Sequence, residues 1–551
     1  MSERALPLKL GLIPLALYLV LAAGAAIVVP SDYAGDPRPT PPDEGPHVGY
    51  VEHLATKWTL PVFRSLADNY EGHQPPLYYA TALPAYFVAR AIAPGDIGGL
   101  SRTGLVLLRM WSVLVGGIAV WALWLVGRLV FSWEYVAGGK AETGEPPVLR
   151  GGKGADAGAG ETPALRERGE TGETPALRER GETGEAPALR ERGTADGGEA
   201  GDWRRLLALA PALFLALWPG RTMIVSAITN DGLAEGMCLV TLYLCLRALS
   251  RPVGYRDILW LGLAWSAALL SKSTSAALGP IVLLALVMGD GAYRRSNDAD
   301  EVSVESADRG RLLKNLALLA GIVVVLTGWW FVRNQMLYGD PLAARVFEEL
   351  FSKDRATPEY FFKLGLSGGA YFTLVVMNTA LSFWGVYGQA NVYSPIWYYA
   401  LGFGIWAVAL VGLVRQKIAD GKSVAPEPQT TGKGKSKGGK RKEPEGQGAA
   451  GGEQNWRRQA FLLCWVLLVV VVAFFLRFNT SFYQAQARYL FAASGAIWLL
   501  MTLGLWDVGR KRYGVWVVAA ALAVMLVMSV WSVAGFGHLV AAHYPPPLFG
   551  G

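Results

Sequence analysis

The sequence predicts an all-α polytopic membrane protein, and three observations carry that prediction. Hydrophobic residues fill 52% of the 551 positions. Mean hydropathy is positive, at +0.28. The apolar residues gather into runs of roughly 17 to 25, long enough to cross about 30 Å of hydrocarbon as helix. A single soluble globule does not have this composition. In chain order the runs are 8–29, 110–131, 206–226, 233–249, 312–331, 396–414, 461–476, 490–505 and 515–533. The stretch 258–288 is too long for one crossing, and "SKSTS" near its middle makes it a hairpin of two. About eleven spans are therefore expected.

Two further runs, 76–93 and 370–386, are short or broken and rich in Tyr, Phe and Pro. They read as interfacial or re-entrant helices in two large outer loops. On that reading the basic groups Arg4 and Lys9, Arg204 and Arg205, Arg251 and Arg256, Arg294 and Arg295, 433–442 and 510–512 all face the cytoplasm, as basic loops do. The protein is then expected in the cell membrane, with its amino terminus inside and its carboxyl terminus outside. The expected organisation is a first span, outer loop and second span over 1–132, a cytoplasmic insert over 133–203, and core spans over 204–332. An outer loop over 333–395, a span over 396–419, a basic cytoplasmic loop over 420–456 and the last spans over 457–551 follow.

The two cytoplasmic inserts are low in complexity. "ETPALRERGETG" begins at Glu161 and again at Glu173, and "EAPALRERG" begins at Glu185. Twelve residues with one Leu each cannot build a stacked core, so the segment is expected to be disordered. "TGKGKSKGGKRK" in the second insert reads as a solvated positive-inside loop, and no nucleic-acid partner is expected. Cys238, Cys245 and Cys464 fall inside or beside apolar runs, where thiols behave as small hydrophobes; neither disulfides nor a zinc site is indicated.

The outer loops hold the candidate chemistry. In "PPDEGPHVGYVEHLATKWTLPV", 41–62, Asp43 and Glu44 precede His47 by four and three residues, so a helix places them on one face. Tyr50, Val51, Leu54 and Trp58 recur at helical spacing and are expected to rest in the membrane interface. The plain alternative for the acid pair is a helix start that complements the dipole. "YEGHQPPLYY", 70–79, adds Glu71, His73 and Gln74. Carboxylates with His47 and His73 are a candidate divalent-cation site, although two His are a weak metal signal alone. Arg109, Arg333 and Arg488 stand at the expected outer ends of spans. A guanidinium there suits a phosphate, with snorkelling to headgroups as the plain alternative.

"PDE" after the first span, "HQPPLYY", "LLRMWSVLVGGIAVWALWLVGRLVF", "SAITNDGLA", "GWWFVRNQMLYGDPL", "SFWGVYG" and "ARYLFAA" together resemble the GT-C superfamily of membrane glycosyltransferases. Within it the likeness is to the aminoarabinose and protein mannosyl transferase branch. The resemblance implies a GT-C fold and a hexosyl- or pentosyltransferase that takes its sugar from a polyprenyl-phosphate carrier on the extracytoplasmic side. The acceptor is a protein, lipid or glycan. It implies Asp43 as general base. Arg109, Arg333, Arg488 and Gln74 would face the donor phosphate, Glu44, Asp231 and Asn334 would support them, and His47 and His73 would hold any divalent metal. Here His73 and Gln74 stand where aminoarabinose transferases have Glu and Lys. A single displacement inverts the anomeric carbon. A lipid-linked polysaccharide polymerase or ligase, and a secondary transporter or flippase, are the alternative classes.

The topology is testable. A Cys introduced at Gly172 is expected to resist an impermeant thiol reagent in intact cells, and deletion of the three repeats is expected to leave activity largely unchanged. Ready labelling from outside contradicts the assigned side.

Overall fold

The computed structural model describes residues 6–30, 41–65, 68–131, 196–297, 305–352, 356–388, 391–423, 447–509 and 513–543. The repeats, and the expectation of disorder made for them, lie outside these residues. Three edges of the expected inserts do not: helix begins at Asp196, and the helices flanking the second insert extend to Ser423 and from Gln447.

In chain order the helices are α1 (Leu12–Val28), α2 (Glu44–Lys57), α3 (Leu77–Ile92), α4 (Arg102–Val130), α5 (Asp196–Ala216), α6 (Pro219–Val225), α7 (Asp231–Ser250), α8 (Tyr255–Ser271) and α9 (Gly279–Asn297). They continue with α10 (Glu305–Tyr338), α11 (Ala344–Phe351), α12 (Pro358–Lys363), α13 (Gly368–Gly385), α14 (Ile396–Ser423), α15 (Gln447–Phe478), α16 (Ser494–Val508) and α17 (Gly514–His543). Strand is confined to short pieces, of which Val386–Tyr387 pairs antiparallel with Val392–Tyr393. Several starts are written in the sequence. Ser101 and Ser367 accept hydrogen bonds from Gly104 N and Ala370 N at the heads of α4 and α13, and Pro219 opens α6, where its missing N–H is harmless.

The chain is a multi-pass membrane protein. Among the described residues nine helices are long and apolar enough to cross a membrane, and ten if the pair Arg205–Ala216 and Pro219–Val225, bent by 55°, counts as one span. The expected eleven is reached only by adding α8, the first arm of the expected hairpin, which has 17 residues. Its second arm, Ser273–Asp290, is among the nine.

Small residues set the closest helix contacts. On α4, a Cβ at Gly116 would collide with the Tyr18 hydroxyl of α1, and one at Gly127 with Ala208 O of α5. The Tyr18 hydroxyl donates to Val113 O at 3.0 Å. Between α14 and α16, a Cβ at Gly412 would overlap Gly504 O, and one at Gly504 would overlap Ala409 O. Helices in lipid associate through such close backbone approach, because no hydrophobic effect drives them together.

One expectation for the first loop is corrected. Tyr50, Val51 and Leu54 of α2 are not spread on a lipid surface; they are buried against Tyr78, Tyr79, Ala82 and Tyr86 of α3 and Leu105 and Leu108 of α4. Aromatic stacking decides the packing, with the Tyr50 and Tyr79 rings 3.8 Å apart. Trp58, with φ 54°, ends α2 and stays 74% exposed.

Gly412→Val is expected to force α14 and α16 apart and to destabilise the protein by about 1–3 kcal/mol. Thermal unfolding in detergent, compared with a substitution at the uncrowded Gly404, measures it.

Candidate functional site

Asp43 is the left-handed residue (φ 64°) immediately before α2. That conformation is uncommon outside glycine, though Asp tolerates it better than most residues. Its Oδ1 accepts from the Tyr70 hydroxyl at 2.8 Å, and its Oδ2 accepts from Arg488 Nη2 at 2.6 Å. Burial alone would raise the Asp43 carboxyl. The adjacent Arg488 guanidinium and the Tyr70 hydroxyl overcome it and hold the group well below the usual carboxylate range, as charge pairing does.

Arg488 sits in the 3₁₀ turn Ala487–Ala493, and its Nη1 lies 4.0 Å from Asp231 Oδ2. Its Nε is buried and has no hydrogen-bond partner. Asp231, the first residue of α7, also pairs with Lys272, whose ammonium lies 5.7 Å from the Tyr489 ring centroid. Lys272 falls in the "SKSTS" break, which sequence reading used only as a turn. Two cations and two carboxylates from four segments thus alternate at one end of the bundle. Gln74 joins them through Asn230, whose Nδ2 donates to Gln74 Oε1 at 3.2 Å and to Ser271 O at 2.9 Å.

Glu71 and His47 lie beside this cluster. Glu71 is 5% exposed, its Oε2 has no hydrogen-bond partner, and that oxygen is 3.9 Å from His47 Nδ1. Burial and then the nearby Asp43 carboxylate push Glu71 up to about 8. Burial pushes the His47 imidazole down to about 4, against the pull of Asp43 and Asp231. His47 Nδ1 is 2.8 Å from the Tyr79 hydroxyl. His73 Nδ1 meets Tyr70 O, and its Nε2 lies 3.1 Å from Gln74 Nε2.

Among the described residues no group of three His, Cys, Asp or Glu side chains is arranged to hold a metal ion, and His73 Nδ1 is turned to a backbone carbonyl.

Arg109 is corrected. It lies inside α4 and is 1% exposed. Its Nε and Nη2 bond Glu44 at 2.7 and 2.5 Å, and its remaining donors go to Ala26 O, Val29 O and Pro30 O. No donor is left for a phosphate. Glu44 meanwhile accepts from Ile228 N at 3.0 Å, so this neighbour of Asp43 ties α1, α4 and the 226–230 turn together. Arg333 donates to Pro61 O at 2.7 Å and to Asn334 Oδ1 at 3.1 Å, and Asn334 donates to Pro341 O at 3.2 Å. Both hold loops, and these bonds do not bring them to the Asp43–Arg488 pair.

A groove opens beside Arg488. Trp218, Gly220, Ile224, Val386 and Phe491 line it with that arginine, enclosing about 370 Å³ including space open to solvent. An adjoining depression shares Pro42, Gly220, Ile224 and Val386 and extends to Val29, Met223 and Phe536. The arrangement is one buried guanidinium at the polar end of an apolar cleft.

The shift on Glu71 gives a stability prediction. Its folded-state pKa lies above the ordinary value, so its contribution is full below the ordinary carboxyl range and lost as pH rises through about 8, by linkage. The wild-type melting temperature is expected to fall relative to Glu71→Gln as pH rises from the ordinary carboxyl range toward about 8, and to change little further above it. Parallel curves would mean that Glu71 is not held neutral.

A family model described as "Predicted membrane protein (DUF2142)" matches residues 201–353. No curated protein matches the chain. Among solved structures, the Archaeoglobus fulgidus oligosaccharyltransferase in complex with Zn and sulfate is similar at 13% identity and a TM-score of 0.45, over 95% of this chain and 53% of that one. The same organism's archaeal oligosaccharyltransferase AglB, in complex with an inhibitory peptide and a dolichol-phosphate, is similar at 12% and 0.45, over 97% and 55%. This chain thus spans about half the length of those enzymes. ArnT from Cupriavidus metallidurans bound to undecaprenyl phosphate is similar at 12% identity and a TM-score of 0.41, over 97% of this chain and 76% of that one.

Proposed function

We propose that this chain is an integral membrane glycosyltransferase of the GT-C type. It moves a sugar from a polyprenyl-phosphate donor to a hydroxyl of a protein, lipid or glycan acceptor on the extracytoplasmic side, with inversion. The observation that carries the reading is Arg488: a buried guanidinium with a donor to spare, at the polar end of an apolar groove, one hydrogen bond from the carboxylate of Asp43. The sequence motifs around "PDE", "HQPPLYY" and "ARYLFAA" support it independently.

The chemistry follows from the charges. The donor phosphate enters the groove and competes with Asp43 and Asp231 for Arg488 and Lys272. Asp43, relieved of its guanidinium, becomes a stronger base and takes the acceptor hydroxyl proton. The acceptor oxygen then bonds to the anomeric carbon as the bond from that carbon to the phosphate oxygen breaks. The departing polyprenyl phosphate carries away the bonding pair and remains neutralised by Arg488 and Lys272. Gln74, held by Asn230, offers its amide to the same region. No step in this reading is routed through a metal.

Purified protein in lipid nanodiscs, given radiolabelled undecaprenyl-phosphate sugars and membrane extract, tests it. Label is expected to pass to an acceptor. Asp43→Asn is expected to lower turnover by about 10² to 10⁴, and Arg488→Lys, which keeps charge but loses the planar fork, is expected to raise donor KM. Wild-type turnover in Asp43→Asn together with a wild-type donor KM in Arg488→Lys sinks the assignment. Passage of intact lipid across the bilayer, with no sugar transfer, favours the flippase, and chain growth on the lipid favours the polymerase.

A further inference from the structure

Below the site, inside the membrane-spanning bundle, lies a buried ion pair that the mechanism does not use. Arg221 of α6 and Glu235 of α7 have fully buried side chains, with Nε donating to Oε2 at 2.6 Å. Arg221 Nη2 donates to Gly116 O of α4 at 2.8 Å, and its guanidinium lies 4.9 Å from the centroid of the Tyr18 ring of α1. One side chain therefore ties α6 to three spans. Arg221 Nη1 is buried without a partner, so the pair is far from an economical way to add stability; a well-packed apolar pair often does as well or better.

The place of α6 explains what the pair does. The helix has seven residues, too few to be stable alone, and the 55° bend at its head separates it from α5, so tertiary contacts must hold it. Its Gly220, Met223 and Ile224 form a wall of the groove. Its opposite side carries Arg221 and, one turn on, Val225, which faces Gly116 and Gly232. Glu235 lies one turn along α7 from Asp231, so the helix that anchors the groove wall also carries one carboxylate of the site.

We propose that Arg221 and Glu235 are positioning residues of the donor site, clamping α6 against α7 so that the apolar wall of the groove keeps a fixed register with Asp231 and Arg488. The proposal rests on the donor reading above, and its test separates the two.

The variant is Arg221→Met/Glu235→Leu, which removes both charges and leaves neither buried alone. Melting temperature, hydrogen exchange of the 219–225 amides and affinity for undecaprenyl phosphate are measured in nanodiscs beside the wild type. The clamp predicts a melting temperature near wild type, faster exchange in 219–225 with 231–250 still protected, and affinity weaker by on the order of tenfold. Unchanged exchange overturns the proposal, as does faster exchange with unchanged affinity. If the wild type itself does not bind undecaprenyl phosphate, the donor reading fails and the exchange result alone decides the clamp. Should the double variant not fold, Arg221→Lys takes its place; it keeps the charge but cannot bond both Glu235 and Gly116 O, and the same outcomes decide.

Discussion

The Asp43–Arg488 ion pair joins residues 445 positions apart in the chain and is the contact on which the site depends. It closes the first loop onto the turn that leads into α16. Asp231 and Lys272, from the middle of the chain, complete the same charge alternation. In a bundle whose spans are held mainly by close packing, charges at the membrane surface fix which loop meets which. Opposite charges that neutralise one another in the free protein can be drawn apart by an anionic ligand, which is the property a phosphate site needs.

The neighbouring acid behaves oppositely. Glu44 is committed to Arg109 and Ile228 N, both buried. Removing its charge would leave Arg109 buried and unpaired, a strongly destabilising change rather than a catalytic one. Two adjacent carboxylates thus take different partners on either side of the left-handed turn at Asp43. That turn sends one side chain toward Arg488 and the next into the bundle.

Much of this was legible in the sequence. Apolar run length located the spans, and "SKSTS" marked the break between α8 and the next span. The stretches 41–62 and 70–79 both stood out as polar segments carrying carboxylates and His. Asp43, Glu44, Gln74, Asp231 and Arg488 were all named, and the structure brings Asp43, Gln74, Asp231 and Arg488 into one neighbourhood. What failed has a physical reason in each case. Arg109 stands just before the apolar run 110–131 and so reads as the end of a span, yet α4 already begins at Arg102. The apolar stripe of α2 was assigned to lipid because spacing cannot distinguish a bilayer from the aromatic face of α3. Lys272, Arg221 and Glu235 were passed over, although ionisable residues within or beside apolar runs are themselves a signal of paired or functional groups.

The central claim is that Arg488 exchanges Asp43 for a lipid phosphate. A cryo-electron-microscopy structure of the protein with undecaprenyl phosphate tests it most directly. The account predicts a phosphate oxygen within about 3 Å of the Arg488 guanidinium, the prenyl chain leaving along Trp218, Ile224 and Phe491, and Asp43 turned away from Arg488. Phosphate bound at another place, with the groove empty and the Asp43–Arg488 pair intact, would contradict it.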